Sequence, residues 1–169
     1  MIIPIIIIIF SLLFDGLLTN YLPYLVNDLS LFTPLLTVTI LFIIYPFYRK
    51  KPKTYLITAF ITGFIYDSFY TNLLFFNAIL FLIVSIISMY LYKNFEVSYL
   101  RLIIYIILIV TLYESLTGLI LFIFRIVPVT PTKVLYKITH SIIINVLYGE
   151  LIFFILNIIP KRFKKISIN

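Results

Sequence analysis

The sequence predicts an all-α integral membrane protein, built as a six-transmembrane-helix bundle in a single domain over residues 1–169. Composition is the first observation: 63% of the residues are hydrophobic and 11% are charged, whereas soluble domains have about 45–50% and about 25%. The second is that the apolar residues form long unbroken runs, which favour helices over the alternating strands of a membrane barrel. The third is that Lys and Arg concentrate in alternate loops.

Six apolar segments are long enough to form the predicted helices, since a spanning helix needs roughly 20 apolar residues. They are residues 2–19, 31–48, 54–70, 73–92, 102–124 and 134–159. The first has no basic start and no small-residue cleavage site, so we expect a retained helix and not a signal peptide. The third and fourth are almost contiguous, which predicts an antiparallel hairpin with a tight turn at residues 68–72.

The distribution of basic residues predicts the orientation of the bundle. Ten of the 13 Lys and Arg residues fall on one side of a six-span arrangement, in the loop 49–53, in the loop after the fourth helix and in the tail. Cytoplasmic loops carry such an excess, so both termini are predicted to be cytoplasmic. The net charge of +7 then reflects contact with the lipid bilayer and does not indicate nucleic-acid binding.

Ionisable side chains inside the predicted helices form a candidate intramembrane cluster. Acids cost roughly 2.5–3.5 kcal/mol each at the centre of a spanning helix, so they normally face the protein interior. At about 1.5 Å per residue, Asp15, Asp67, Glu114 and His140 fall at one depth, in the outer third of the membrane, and Glu150 lies nearer the cytoplasmic side. Asp67, Glu114, His140 and Glu150 either form a site for a ligand, proton or partner, or lock the bundle together; the structural interpretation is favoured.

The third helix carries a stripe of small residues that predicts a contact with another helix. Ala59, Gly63 and Asp67 recur at intervals of four residues, and small residues let helix backbones approach closely in lipid. Gly63 is therefore predicted to lie at a helix–helix contact, and Asp67 to point into the bundle beside His140 or Glu114. A pair with His140 is preferred, because two adjacent carboxyl groups would have to share a proton.

Motifs for catalysis or for cofactor and metal binding are missing from the sequence. The chain contains no cysteine, which excludes disulfides, thiol catalysis and zinc sites built on thiolates. A Ser/His/Asp order, a metal-ligand spacing and a glycine-rich phosphate loop are equally absent. No catalytic, cofactor-binding or metal-binding residue is therefore predicted, and a small membrane enzyme is the least favoured class.

One pattern in residues 32–92 is more specific than hydropathy. A proline opens the second helix, a short basic loop follows, a Gly-Phe-x-x-x-Asp segment enters the hairpin, and Asn-Ala-Ile begins the fourth helix. The residues are Pro34, the loop 49–53, Gly63, Phe64, Asp67, Asn77, Ala78 and Ile79, preceded by Leu12-Leu13-Phe14-Asp15 at the end of the first helix. The pattern resembles the bacterial rod shape-determining protein family MreD. It covers the first half of the chain, and the second half agrees only in hydropathy.

The resemblance has one departure, and it falls in the hairpin. Many members of the family have a glycine two residues before the asparagine, where this chain has Phe75. The geometry of the turn is therefore the feature that the resemblance leaves open.

The resemblance implies a non-enzymatic role in the bacterial cytoplasmic membrane. Members of the family bind MreC, a single-pass membrane protein, and act with other membrane proteins of the cell-elongation machinery to position peptidoglycan synthesis. Their fold is similar to that of the substrate-binding subunits of energy-coupling-factor vitamin transporters. The alternative is therefore a small-molecule permease subunit, but the outer segments 20–30 and 125–133 are short and mostly apolar, which favours a partner surface over a ligand pocket.

Overall fold

A computed structural model describes residues 2–21, 35–71, 73–94, 98–125 and 128–158. Over these residues the chain forms six α-helices and no strand, which confirms the all-α prediction. The helices are α1 (Ile2–Tyr21), α2 (Leu36–Tyr48), α3 (Pro52–Tyr70), α4 (Phe76–Asn94), α5 (Tyr99–Ile123) and α6 (Pro131–Ile158).

Three of these helices are long and apolar enough to cross a membrane: α4, α5 and, over Pro131–Asn157, α6. The segments Ile2–Leu18 of α1 and Leu36–Tyr48 of α2 are apolar but shorter. The remaining helix, α3, contains Lys53, Asp67, three threonines and three tyrosines, which dilute its hydropathy. The predicted count of six spans stays a prediction.

The short helix α2 lies at the centre of the bundle. It contacts each of the other five helices, and every one of its residues except Phe47 is buried. Its 13 residues make a helix of about 20 Å, shorter than a hydrocarbon core of about 30 Å. The helix begins at Leu36 because the backbone of Leu35 is non-helical, with φ −131° and ψ 45°. Residues 31–34 of the predicted segment lie outside the described residues.

Two antiparallel hairpins flank this central helix. In the first, α3 and α4 pack along their lengths as predicted. Helix α3 continues to Tyr70 and α4 begins at Phe76, so residues 68–70 of the predicted turn at 68–72 are helical. In the second, α5 and α6 run in opposite directions, because Gly118 faces Val134 at one end while the rings of Tyr99 and Phe153 lie 5.1 Å apart at the other.

Hydroxyl groups attach α1 to the rest of the bundle. The Tyr70 hydroxyl of α3 donates a hydrogen bond to the Leu12 carbonyl at 2.8 Å. The hydroxyls of Ser11 and Tyr148 share a hydrogen bond of 2.8 Å, which joins α1 to α6. The first helix therefore contacts α3 and α6 as well as α2, and the arrangement places Asp15 beside the start of α2.

Candidate functional site: two helix N-termini capped by buried acids

The N-terminus of α2 lies inside the bundle and needs hydrogen-bond acceptors. The first amides of an α-helix have no intrahelical carbonyl to bond, and an unpaired buried N–H costs about 1–3 kcal/mol. The residue before the helix is Leu35, whose apolar side chain cannot accept a hydrogen bond. The acceptors must therefore come from other helices.

Asp15 of α1 supplies two of these acceptors. The Leu36 N–H donates to its Oδ1 at 3.0 Å, and the Thr37 N–H donates to its Oδ2 at 2.9 Å. The Thr37 hydroxyl donates to the same Oδ2 at 2.6 Å. The carboxyl group is buried and faces the positive end of the α2 dipole, which favours negative charge. Asp15 thus acts as an N-cap that reaches across from another helix.

Asn145 of α6 completes the same N-terminus. Its Oδ1 accepts the Leu35 N–H at 3.1 Å and the Thr39 hydroxyl at 3.1 Å. Its amide group donates to the Ser141 carbonyl at 2.7 Å, which fixes the orientation of the side chain. Because α1 and α6 both cap α2, the first two helices and the last one are joined at one point.

Asp67 of α3 caps the N-terminus of α4 in the same manner. The Asn77 N–H donates to Oδ2 at 2.9 Å and to Oδ1 at 3.1 Å, and the Ala78 N–H donates to Oδ2 at 3.2 Å. The Asn77 side-chain amide and the Thr71 hydroxyl donate to Oδ1 at 2.8 Å and 3.0 Å. The carboxyl group has no exposed surface. The prediction that Asp67 points into the bundle is confirmed.

Asn77 extends this second cap to α5. The Tyr113 hydroxyl donates a short hydrogen bond to the Asn77 Oδ1, and both side chains are buried. The second cap therefore joins α3, α4 and α5, and Glu114 follows Tyr113 directly on α5.

Gly63 allows the close approach of α3 and α4 on which the second cap depends. A Cβ atom at this position would lie 2.6 Å from the Asn77 carbonyl oxygen and 2.7 Å from the Ala78 nitrogen. Any side chain at Gly63 would push α4 away, and the Asp67 carboxyl group would lose its reach to the same two residues. The prediction that Gly63 lies at a helix–helix contact is confirmed.

Phe75 holds the turn before α4 in a left-handed conformation, with φ 67°. Left-handed geometry costs a residue with a side chain roughly 1–2 kcal/mol and suits glycine. The ring offsets this cost by packing against Phe64 at 5.3 Å and Phe60 at 6.4 Å between centroids. The position where the sequence departs from the MreD pattern is thus one at which a glycine would be favoured.

The predicted pair of Asp67 with His140 is wrong. The hydrogen bonds of Asp67 are made with Thr71, Asn77 and Ala78. The Nδ1 of His140 contacts the Tyr136 carbonyl at 2.8 Å and the Thr139 hydroxyl at 3.1 Å, on its own helix, and its ring stacks on Tyr136. Backbone amides of α4 lie nearer to Asp67 along the chain and require an acceptor, so they occupy the carboxyl group.

The other predicted members of the cluster lie on the α5–α6 side. Glu114 is buried and its carboxyl group lies beside the Ser141 hydroxyl and near Lys137, both on α6. Glu150 is half-buried, and its Oε1 is sealed from solvent without a hydrogen-bond partner among the described residues. Pro34, predicted to open the second helix, lies outside the described residues.

Four residues of the two caps were not predicted from the sequence: Thr37, Thr71, Tyr113 and Asn145. A signal for Asn145 exists, since a buried amide in an apolar helix needs partners and α6 has few polar residues beside it. The others are Thr and Tyr side chains of a kind that recurs throughout the chain, so only the folded arrangement distinguishes them.

The geometry gives Asp15 and Asp67 a structural role. Each carboxyl group accepts hydrogen bonds from two consecutive backbone amides and a side-chain hydroxyl, so a ligand at either acid would have to displace a helix N-terminus. Within the described ranges, no three His, Asp or Glu side chains lie close enough together to hold a metal ion.

Comparison with known proteins returns no match: no family model, no curated protein and no solved structure is similar enough to this chain to align with it.

Proposed function

We propose that this chain is a non-enzymatic, multi-pass component of the bacterial cell-elongation machinery, which binds an MreC-like single-pass protein and helps position peptidoglycan synthesis. The observation that carries the proposal is the α3–α4 hairpin. The residues that resemble MreD there, Gly63, Asp67, Asn77 and Ala78, form one interlocked contact. A motif whose members meet in space is a more specific resemblance than one scattered over a hydrophobic chain.

The position of Phe75 adds independent support. The turn requires a left-handed residue there, which is where the family favours glycine. This backbone geometry accounts for the glycine in the family's pattern.

A non-catalytic role is supported by the hydrogen bonds that the two most buried acids already accept. Asp15 and Asp67 both accept hydrogen bonds from backbone amides, and proton transfer or nucleophilic attack by either would release a helix end. Their geometry favours a rigid scaffold on which partner proteins assemble.

We propose six spans for this scaffold, with both termini in the cytoplasm and a fold similar to the substrate-binding subunits of energy-coupling-factor transporters. The short α2 fits within a membrane because its N-terminus is capped by Asp15 and Asn145 and needs no water. Single cysteines in the cysteine-free background test the topology: an impermeant thiol reagent applied to intact cells should leave Lys51→Cys unlabelled. Labelling of that variant would overturn the orientation.

The function itself is tested by co-purification from crosslinked membranes of cells that produce the tagged chain. We expect a stoichiometric single-pass membrane protein together with cell-wall synthases, and rounded cells when the chain is depleted. Asp67→Leu should abolish the recovery, whereas Ile57→Ala, at a side chain that is 59% exposed, should not change it. A stoichiometric small molecule without a protein partner would replace this proposal with the permease subunit.

A further inference from the structure

The face of α6 that is turned away from the other helices carries a continuous stripe of side chains spaced as in a coiled coil. Its members follow one another at alternating intervals of four and three residues, a spacing that keeps one seam facing a neighbouring helix. We call it the α6 seam, and it consists of Tyr136, His140, Ile143, Leu147, Glu150 and Phe154.

Most of the α6 seam is exposed on the surface of the bundle, and His140 and Glu150 are half-buried. Its apolar members Ile143, Leu147 and Phe154 are 56%, 66% and 55% exposed. The opposite face of the helix, which includes Ser141, Asn145 and Gly149, is buried against the other helices. The helix therefore has one face packed in the protein and a second face available to lipid or to another protein.

Glu150 is the polar member of this seam that indicates what covers it. Its side chain is half-buried: one carboxyl oxygen, Oε1, is covered by the chain itself, and the carboxyl group receives no hydrogen bond from the described residues. A carboxyl group without a donor is costly in a hydrocarbon environment, and lipid chains offer none.

The position of Glu150 along α6 indicates where the donor lies. Gly149 packs against Ile106, and Phe153 packs against Tyr99, the first residue of α5. Glu150 is therefore level with the first two turns of α5, which the proposed topology places at the cytoplasmic end of the membrane. Transmembrane helices carry their Lys and Arg residues at that end.

From these observations we propose that the α6 seam binds a single transmembrane helix of a partner protein, and that a Lys or Arg at the cytoplasmic end of that helix pairs with Glu150. This inference rests on the proposed function and names the surface and chemistry of its partner contact. A second copy of the chain fits the seam poorly, because parallel packing about a two-fold axis would oppose Glu150 to itself, and like charges at close range repel.

Photocrosslinking from Leu147 in native membranes tests the inference. A photoreactive residue there should crosslink to a transmembrane segment with Lys or Arg about one helical turn to the cytoplasmic side of the crosslinked residue, since Glu150 lies about 4.5 Å farther along α6. The matched control is the same residue at Ile57 of α3, which is similarly exposed and should not yield this product.

Two variants distinguish a charge pair from general packing. Glu150→Leu should lower the crosslinking yield at least about tenfold, because losing one member of a desolvated pair costs more than about 1.4 kcal/mol. Glu150→Lys should abolish it, and reversing the partner's basic residue to Glu should restore it. Both variants should unfold in detergent within a few degrees of the wild-type chain, since Glu150 makes no hydrogen bond within the described part of the chain.

The alternative outcomes overturn the inference separately from the proposed function. A crosslink to a second copy, crosslinks to lipid alone, or a yield unchanged by Glu150→Leu would each show that the seam does not bind as proposed. If the single-pass protein still co-purifies in those cases, only the surface is wrong. If no single-pass protein is recovered with the wild-type chain, the proposed function fails as well.

Discussion

The first backbone amides of α2 and of α4 both need hydrogen-bond acceptors from elsewhere in the chain, and the acceptors lie at very different distances along the sequence. Asp67 accepts from amides 10 and 11 residues away, within one hairpin. Asp15 accepts from amides 21 and 22 residues away, and Asn145 from an amide 110 residues away. The α4 cap needs only two adjacent helices, whereas the α2 cap needs three. The comparison indicates that the hairpin is a local unit and that the central helix depends on the whole bundle.

The largest effect is expected from removing the local cap. Asp67→Leu leaves two backbone N–H groups without an acceptor, at about 1–3 kcal/mol each, so we expect a loss of about 2–6 kcal/mol in unfolding free energy. Thermal unfolding in detergent, followed by size-exclusion chromatography, measures the change. Asp67→Asn is the matched control and should lose less, because its amide keeps one acceptor oxygen. Equal unfolding temperatures for Asp67→Leu and the wild-type chain would rule out the cap.

Removing the long-range cap should cost a similar amount and also reveal coupling. Asp15→Leu leaves the Leu36 and Thr37 amides without an acceptor, so we expect a loss of about 2–6 kcal/mol in unfolding free energy, toward the lower end because Asp15 accepts one side-chain donor where Asp67 accepts two. Asp15→Leu combined with Asn145→Ala should depart from additivity by about 0.5–3 kcal/mol, since both act on the α2 N-terminus.

The control for this coupling is the pair Asp15→Leu and Asp67→Leu. These residues cap different helices, so the double variant should be close to additive. Strong coupling between Asp15 and Asp67, with none between Asp15 and Asn145, would contradict the assignment of two separate caps.

A smaller loss of stability is expected from adding a side-chain atom at the close contact between α3 and α4. Gly63→Ala should destabilise the chain by about 1–3 kcal/mol, because its Cβ would meet the backbone of Ala78 and Asn77. Gly118→Ala is the matched control, since its Cβ would meet the Val134 side chain and no backbone atom of another helix. Thermal unfolding of the two variants compares them directly, and a greater loss for Gly118→Ala would refute the rigid contact at the hairpin.

The smallest change in stability is expected at the backbone of Phe75, in the turn before α4. Phe75→Gly and Phe75→Ala both remove the ring contacts with Phe60 and Phe64, but only glycine relieves the left-handed φ. Phe75→Gly should therefore be more stable than Phe75→Ala by about 1 kcal/mol. Unfolding midpoints of the two purified variants measure the difference, and an alanine variant of equal or greater stability would show that the turn is not strained.

The sequence was sufficient to predict the local cap but not the long-range one. The stripe of Ala59, Gly63 and Asp67 has helical spacing, which is a property of consecutive residues, and it predicted both the contact at Gly63 and the inward direction of Asp67. The predicted partner of Asp67 was wrong, because matching depths along separate helices favoured His140, whereas the amides that need an acceptor lie only 10 and 11 residues along the chain.

The fold could be predicted as helical because apolar runs of this length have few alternatives in lipid. The start of α2 at Leu36 could be placed only near Pro34, because the acceptors of its first amides come from other helices. That N-terminus is held by Asp15 and Asn145, which accept hydrogen bonds from its amides and are 130 positions apart in the sequence. No pattern within a short stretch of sequence indicates that two residues so far apart cap the same helix.

Amide hydrogen exchange, resolved by nuclear magnetic resonance in detergent micelles, tests the two caps most directly. In the wild-type chain the amides of Leu36, Thr37, Asn77 and Ala78 should exchange slowly. Asp67→Asn should accelerate exchange at Asn77 and Ala78 and leave α2 unchanged, and Asp15→Asn should do the reverse. If neither substitution changes exchange at its own helix, or if both helices respond equally to either one, the two acids do not act as separate N-caps.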